Sequence, residues 1–133
     1  MLTEKDYCDY DTCVALREVG YKGISRYFYA TKESPLRRYS YDQILTTRIA
    51  NAVGHTLAIS LYSAQKWLRE EKKIEVNATY DNVVELHWHW YMKSLINRNQ
   101  TTSIINHDSY ESALLAGIKE AIEILKEDET IHR

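Results

Sequence analysis

The stretch VVELHWHWYM, residues 83–92, decides the fold because its apolar side chains occupy every second position. A period of two is the pattern of a β strand with one buried face. The apolar face carries Val84, Leu86, Trp88, Trp90 and Met92. The opposite face carries Glu85, His87, His89, Tyr91 and Lys93. The stretch therefore predicts a strand whose tryptophans pack inward and whose histidines face outward or toward a second layer.

Neighbouring segments extend this strand into an antiparallel sheet. IEVNATY (74–80) alternates in the same way, and TTSIINH (101–107) follows the polar turn NRNQ (97–100). Short turns between consecutive strands make them antiparallel. The three segments therefore predict a three-stranded meander.

Helical patterns flank the meander on both sides. SLYSAQKWLREEKK (60–73) precedes it, and a long segment with apolar residues at helical spacing follows it. Asp108 and Glu111 form a capping signal for the later helix, and Gly117 within it predicts close packing on the sheet. The result is a C-terminal α-β-β-β-α order with both helices on the tryptophan face.

The N-terminal half predicts a helix and a hairpin. The helix runs from Glu4 to Val19, capped by Thr3 and ended by Gly20. SRYFYAT (25–31) is predicted as a strand, the turn KESP follows, and LRRYSY forms a short return strand.

A second helix is predicted over residues 41–53. Ser40 and Gln43 form its capping pair, and Gly54 lies at the expected stop. One face of this helix is apolar, comprising Tyr41, Ile44, Leu45, Ile49, Ala52 and Val53.

These elements predict an α+β fold in one domain spanning residues 1–133: an antiparallel sheet of three to five strands packed mainly on one face by helices. Hydrophobic residues make up 44% of the chain and charged residues 27%, a globular balance. The apolar runs are shorter than a membrane span and the N-terminus lacks the pattern of a secretory signal. Cys8 and Cys13, placed on different faces of one predicted helix, are expected to be reduced thiols. These features predict a cytoplasmic protein.

Catalytic patterns are not recognisable in the sequence. It has no glycine-rich phosphate loop, no HExxH and no GxSxG. We therefore expect a non-enzymatic protein without a cofactor.

One pattern is suited to metal binding. His87 and His89 project from one strand face, and zinc needs three or four ligands. If the turn centres on Arg98, His107 lies opposite His89 and supplies a third ligand. A shift of one residue in register places His107 on the other face.

A second pattern is suited to nucleic-acid binding. Residues 21–50 carry six basic and two acidic side chains, interleaved with tyrosines, whereas both ends of the chain are acidic. Cations follow phosphates and rings stack on bases in single-strand-binding surfaces. The candidate residues are Arg26, Arg37, Arg38, Arg48, Tyr39 and Tyr41. The alternative is a solvated face, or one that pairs with acidic helices, since the pI is near 6.2.

Three segments carry a resemblance to a known group of proteins. MLTEKDYCDYDTCVALREVGY (1–21), LYSAQKWLREEKKIEV (61–76) and SYESALLAGIKEAIEIL (109–125) resemble small proteins encoded by phages, prophages and mobile elements of gut Bacteroidales. That group has no assigned activity, so the resemblance implies a genomic setting and the host cytoplasm but no catalytic residue. We expect an accessory protein that acts through contact with a host or phage protein, or as a homodimer.

Overall fold

The computed structural model describes residues 2–39, 44–81, 87–96, 100–102 and 106–131. The elements are α1 (Tyr10–Glu18), β1 (Ile24–Ser25), β2 (Tyr27–Tyr29), β3 (Arg37–Arg38), β4 (Leu45–Thr46), α2 (Thr47–Ala52), β5 (Thr56–Leu57), α3 (Leu61–Glu71), β6 (Ile74–Asp81), β7 (His87–Ser94), β8 (Gln100–Thr102) and α4 (Tyr110–Ile131). All the strand pairs are antiparallel. The predicted α+β fold is confirmed.

The strands divide among three sheets, with the orders β1-β4, β3-β2-β5 and β6-β7-β8. The chain itself divides into two compact units, Met1–Ser63 and Ala64–Arg133. The expectation of one domain is not tested by this division and stays a prediction. No helix in the described part of the chain is both long enough and apolar enough to cross a membrane.

The predicted helix from Glu4 to Val19 is wrong in its first half. A 3-10 turn at Glu4–Asp6 comes first, and α1 begins only at Tyr10. The reason is a second cap, because the Asp9 carboxylate accepts the Thr12 N–H at 2.9 Å. Cys8 therefore precedes the helix instead of sharing it with Cys13. The predicted stop is confirmed, since Gly20 has a φ of 106° just past the helix end.

The predicted hairpin in the first unit is confirmed. Strand β2 pairs with β3 across the turn and with β5 on its other side, so that Phe28 lies opposite both Arg37 and Leu57. Strand β1 pairs separately with β4, with Ile24 opposite Thr46.

The helix predicted over residues 41–53 is wrong at its start. Leu45 and Thr46 form β4, and α2 begins at Thr47 because the Thr46 hydroxyl accepts the Ile49 N–H at 3.2 Å. The predicted capping pair Ser40 and Gln43 lies outside the described residues. The predicted stop at Gly54 is confirmed by its φ of 78°.

The second unit follows the predicted α-β-β-β-α order, which is confirmed for the described residues. Strands β6 and β7 pair along eight residues, from Ile74 with Ser94 to Asp81 with His87. Helix α4 packs on both strands, and Gly117 lets it approach them closely beside Val76 and Trp90. Its buried residues include Leu114, Ile118 and Ile122. Val84, Glu85 and Leu86 of the predicted strand lie outside the described residues.

Packing of the tryptophan face against α4 is confirmed. The Trp88 ring meets Tyr110 edge to face, with centroids 5.5 Å apart.

The cap of α4 differs from the prediction by one residue. Ser109, not Asp108, caps the helix, because its Oγ accepts the Ser112 N–H at 3.1 Å and its N–H donates to Ser112 Oγ at 3.3 Å. The Ser109–Ser112 pair thus forms a reciprocal capping box.

Candidate functional site

The β6-β7-β8 sheet does not bring the three predicted metal ligands, His87, His89 and His107, onto one face. The rings of His87 and His89 have centroids 5.8 Å apart. His107 pairs with Trp88 rather than His89, and the two exchange both backbone hydrogen bonds. Directly paired residues share a sheet face, so His107 lies on the tryptophan face. Within the part of the chain that the structure describes, no three His, Cys, Asp or Glu side chains come together as a metal-binding group.

Both cysteines are buried in the first unit, and neither forms a disulfide. Cys13 Sγ accepts the Ile59 N–H at 3.4 Å and donates to the Cys8 carbonyl at 3.5 Å. The Cys8 carbonyl also accepts the Tyr29 hydroxyl at 2.8 Å, and burial raises the pKa of Tyr29. These contacts tie α1, β2 and the segment after β5 together, which is a structural role.

Arginines of the predicted nucleic-acid site are exposed but do not share one face. Arg37 and Arg38 are adjacent on β3, so their side chains leave opposite faces of the sheet. Arg26 lies between β1 and β2, and Arg48 lies on α2. The structure therefore supplies cations around the first unit rather than one continuous track.

Tyrosines of the basic segment pack against neighbouring rings. Tyr39 stacks on Phe28 with centroids 4.2 Å apart, Phe28 stacks in turn on His55, and the Tyr39 hydroxyl lies 3.3 Å from His55 Nδ1. Burial raises the pKa of Tyr39. Tyr41 lies outside the described residues. Because one ring face of Tyr39 is already covered, the arrangement favours a packed aromatic cluster over an open stacking platform.

Segment 44–53 leaves three large apolar side chains, Ile44, Ile49 and Val53, about half exposed. Ile49 lies on α2, and Val53 directly follows the last residue of that helix; the two side chains, four positions apart in sequence, are 48% and 61% exposed. Ile44 and Ile24 are 50% and 59% exposed. In the β1–β4 pairing Ile24 lies opposite Thr46, and Ile44 lies directly before β4. Ala50, not the predicted apolar face, is buried.

We define the apolar-basic surface as these exposed residues and the cations beside them. Arg26 follows β1, and Arg48 precedes Ile49 on α2. The members are Ile24, Arg26, Ile44, Arg48, Ile49 and Val53. Exposed apolar side chains next to charged groups are typical of protein-contact surfaces.

A cleft of about 230 Å³ opens beside this surface in the first unit. Tyr7 reaches it because the chain before α1 forms a bridge with Ser60, and the Tyr7 ring packs on Tyr27 at a centroid distance of 5.2 Å. The other lining residues are Leu2, Ile24, Ser25, Arg26, Ala58 and Ser63. Ile24 and Arg26 thus belong to both the cleft and the apolar-basic surface.

Asp6 holds the N-terminal segment that supplies one wall of the cleft. Its carboxylate accepts the Thr3 N–H at 2.8 Å and the Tyr62 hydroxyl at 2.9 Å. These hydrogen bonds lower the pKa of Asp6, the bond from Thr3 contributing most. The carboxylate therefore fixes the turn before Tyr7 to the first turn of α3.

The cleft was not predicted from the sequence. Two of its lining residues are joined by a local hydrogen bond, in which the Ser63 N–H donates to Ser60 Oγ at 3.0 Å. Tyr7 and Leu2 carried no local signal, since their place depends on the bridge to Ser60.

Comparison of the chain with protein-family models, curated proteins and solved structures finds no match.

Proposed function

We propose that the chain is an accessory protein of a phage or mobile element that acts by binding another protein. The binding site is the apolar-basic surface, and the partner presents a segment with apolar and acidic side chains. The phage setting rests on the resemblance of segments 1–21, 61–76 and 109–125.

The observation that carries this proposal is the exposure of an apolar face that the sequence predicts to be buried. Ile49 and Val53 recur at helical spacing, as core residues do, but the described chain leaves about half of each in solvent. Single exposed apolar residues are ordinary, whereas several exposed apolar side chains in one segment are typical of a contact surface.

The charges beside the surface determine the partner chemistry. Arg26 and Arg48 are exposed next to Ile24 and Ile49. Arginine is enriched at protein interfaces because its planar guanidinium binds carboxylates at two points. A partner that places carboxylates opposite these arginines and apolar groups opposite the isoleucines complements the surface.

The test compares capture by the wild-type chain and by Ile49→Glu/Val53→Glu from lysate of phage-bearing host cells. Lys66→Glu on α3 is the matched control, because it introduces the same side chain at an exposed helical position. We expect one protein to be retained by wild type and control after nuclease treatment, and lost by the double variant. Loss of two central contacts weakens Kd by about 30-fold or more.

Three other outcomes contradict the proposal, and each identifies a different alternative. A partner bound equally by the double variant excludes the apolar-basic surface. A partner removed by nuclease favours the nucleic-acid interpretation of the basic segment. A light-scattering mass of two chains that falls to one in the double variant identifies the partner as a second copy.

A further inference from the structure

The aromatic wall of the cleft provides a surface for a flat apolar group. Tyr7 and Tyr27 lie with ring planes tilted by 48° and centroids 5.2 Å apart. Leu2 and Ile24 stand at the rim and remain 44% and 59% exposed. An aromatic ring entering the cleft gains edge-to-face or offset contacts with the tyrosines and covers both aliphatic side chains.

Polar groups of the cleft favour an anion next to that ring. Arg26 supplies the one formal charge, and none of the described lining residues is acidic. Ser25 Oγ accepts the Tyr27 N–H at 3.1 Å, so its own proton is a donor that can turn toward a ligand. The Tyr7 phenol is a donor at neutral pH as any tyrosine is, and burial raises its pKa further.

The volume of the cleft suits a single side chain of a partner better than a drug-sized ligand. Its volume of about 230 Å³ is below the roughly 300–1,000 Å³ of pockets that hold drug-sized molecules. Interfaces often place one aromatic anchor in a small pocket of this kind, within a ring of weaker contacts. The apolar-basic surface adjoins the cleft through Ile24 and Arg26 and supplies these surrounding weaker contacts.

We propose that the cleft receives an aromatic side chain of the partner protein, with a carboxylate next to it that pairs with Arg26. This inference rests on the proposed function, because the anchor belongs to the same partner that covers the apolar-basic surface. It adds the identity of the anchoring residue, a tryptophan, tyrosine or phenylalanine adjacent to an acidic group.

The test is an NMR titration of the full chain with two matched probes, N-acetyl-L-tryptophan and the neutral N-acetyl-L-tryptophanamide. We expect saturable shifts at the backbone amides of Tyr7, Arg26 and Tyr27 with both probes. The carboxylate probe binds about threefold more tightly, the effect of one exposed ion pair. Absence of saturable shifts at these amides, or equal affinity for the two probes, overturns the inference.

Two arginine variants test whether the carboxylate of the probe pairs with Arg26. Arg26→Gln removes the preference for the charged probe while the amide still binds. Arg48→Gln, a cation of the same surface outside the cleft lining, leaves both affinities unchanged. A preference that persists in Arg26→Gln overturns the assignment.

The titration also separates this inference from the proposed function. Ile49→Glu/Val53→Glu leaves both probes bound to the cleft, because neither residue lines it. If that double variant keeps its protein partner while the probes bind the cleft as expected, the proposed function fails and the cleft stands as an anion-selective aromatic site. If partner binding depends on Ile49 and Val53 but the probes do not bind, only the inference fails.

Discussion

Gly117→Ala tests the close approach of α4 to the β6-β7-β8 sheet. A Cβ added at Gly117 would lie 2.7 Å from Val76 Cγ1, 3.0 Å from Trp90 Cβ and 3.2 Å from Trp90 Cγ. Val76 is fully buried and branched at Cβ, so its methyl group has little freedom to move. The contact is therefore relieved only by displacing the helix or the strand.

Two opposing effects determine the change in stability. Alanine favours a helix interior over glycine by about 1 kcal/mol. Forcing an extra carbon into a close-packed contact costs about 1–3 kcal/mol. The expected net result is a destabilisation of up to about 2 kcal/mol, measured as the free energy of unfolding in urea by tryptophan fluorescence.

Control variants separate the two effects. The pair Glu120→Ala and Glu120→Gly measures the alanine–glycine difference at an exposed position of the same helix, expected to be about 1 kcal/mol. Val76→Ala removes the clashing methyl group, so combined with Gly117→Ala it costs less than the sum of the single changes. A Gly117→Ala variant stabilised by the full difference seen at Glu120, or strict additivity with Val76→Ala, refutes the packing argument.

Three further changes test individual hydrogen bonds by urea unfolding. Ser109→Ala removes the observed cap of α4 and costs about 1 kcal/mol, whereas Asp108→Ala costs less than half of that; the reverse order contradicts the assignment. Asp6→Asn destabilises the chain at neutral pH, because a carboxyl whose folded pKa is lowered stabilises above its unfolded pKa. That difference shrinks as pH falls through the lowered folded pKa, and a constant difference down to pH 2 contradicts the mechanism. Tyr29→Phe removes the buried hydrogen bond to the Cys8 carbonyl and costs about 1–3 kcal/mol; unchanged stability contradicts its role.

Elements of the second unit were predictable because their signals are local. Alternation over residues 74–80 and 87–92 fixes which side chains share a face, and helical spacing fixes the buried side of α4. The cap of α4 was predicted one residue too early, at Asp108–Glu111, whereas the structure uses the Ser109–Ser112 pair. Side-chain geometry, which a sequence does not show, selects the serine pair.

Register between distant strands was open in the sequence. Both placements of His107 fit the alternation of residues 101–107, and they differ only in how the chain passes from β7 to the segment opposite it. The observed pairing with Trp88 takes the imidazole away from His87 and His89. A metal site of three ligands depends on the register between strands that are distant in sequence, which local periodicity does not determine.

The cleft and the apolar-basic surface could not be predicted from the sequence, because they too depend on contacts between distant segments. Tyr7, Tyr27 and Ser60 are far apart in sequence and meet through one backbone bridge and one ring contact. Helical spacing correctly grouped Ile49 with Val53, but spacing reports only that a face is apolar. Whether other parts of the chain cover that face depends on tertiary packing, and in the described part of the chain Ile49 and Val53 remain about half exposed.

The energy available from the apolar-basic surface limits what it can bind alone. Fully burying an aliphatic side chain contributes about 1.5–3 kcal/mol, and about half of each of Ile24, Ile44, Ile49 and Val53 remains to be covered. Covering all four therefore contributes about 3–6 kcal/mol. Association itself costs about 4–15 kcal/mol, so these residues do not hold a partner by themselves. A stable complex requires a further buried anchor, and the cleft adjoins the surface where such an anchor would enter.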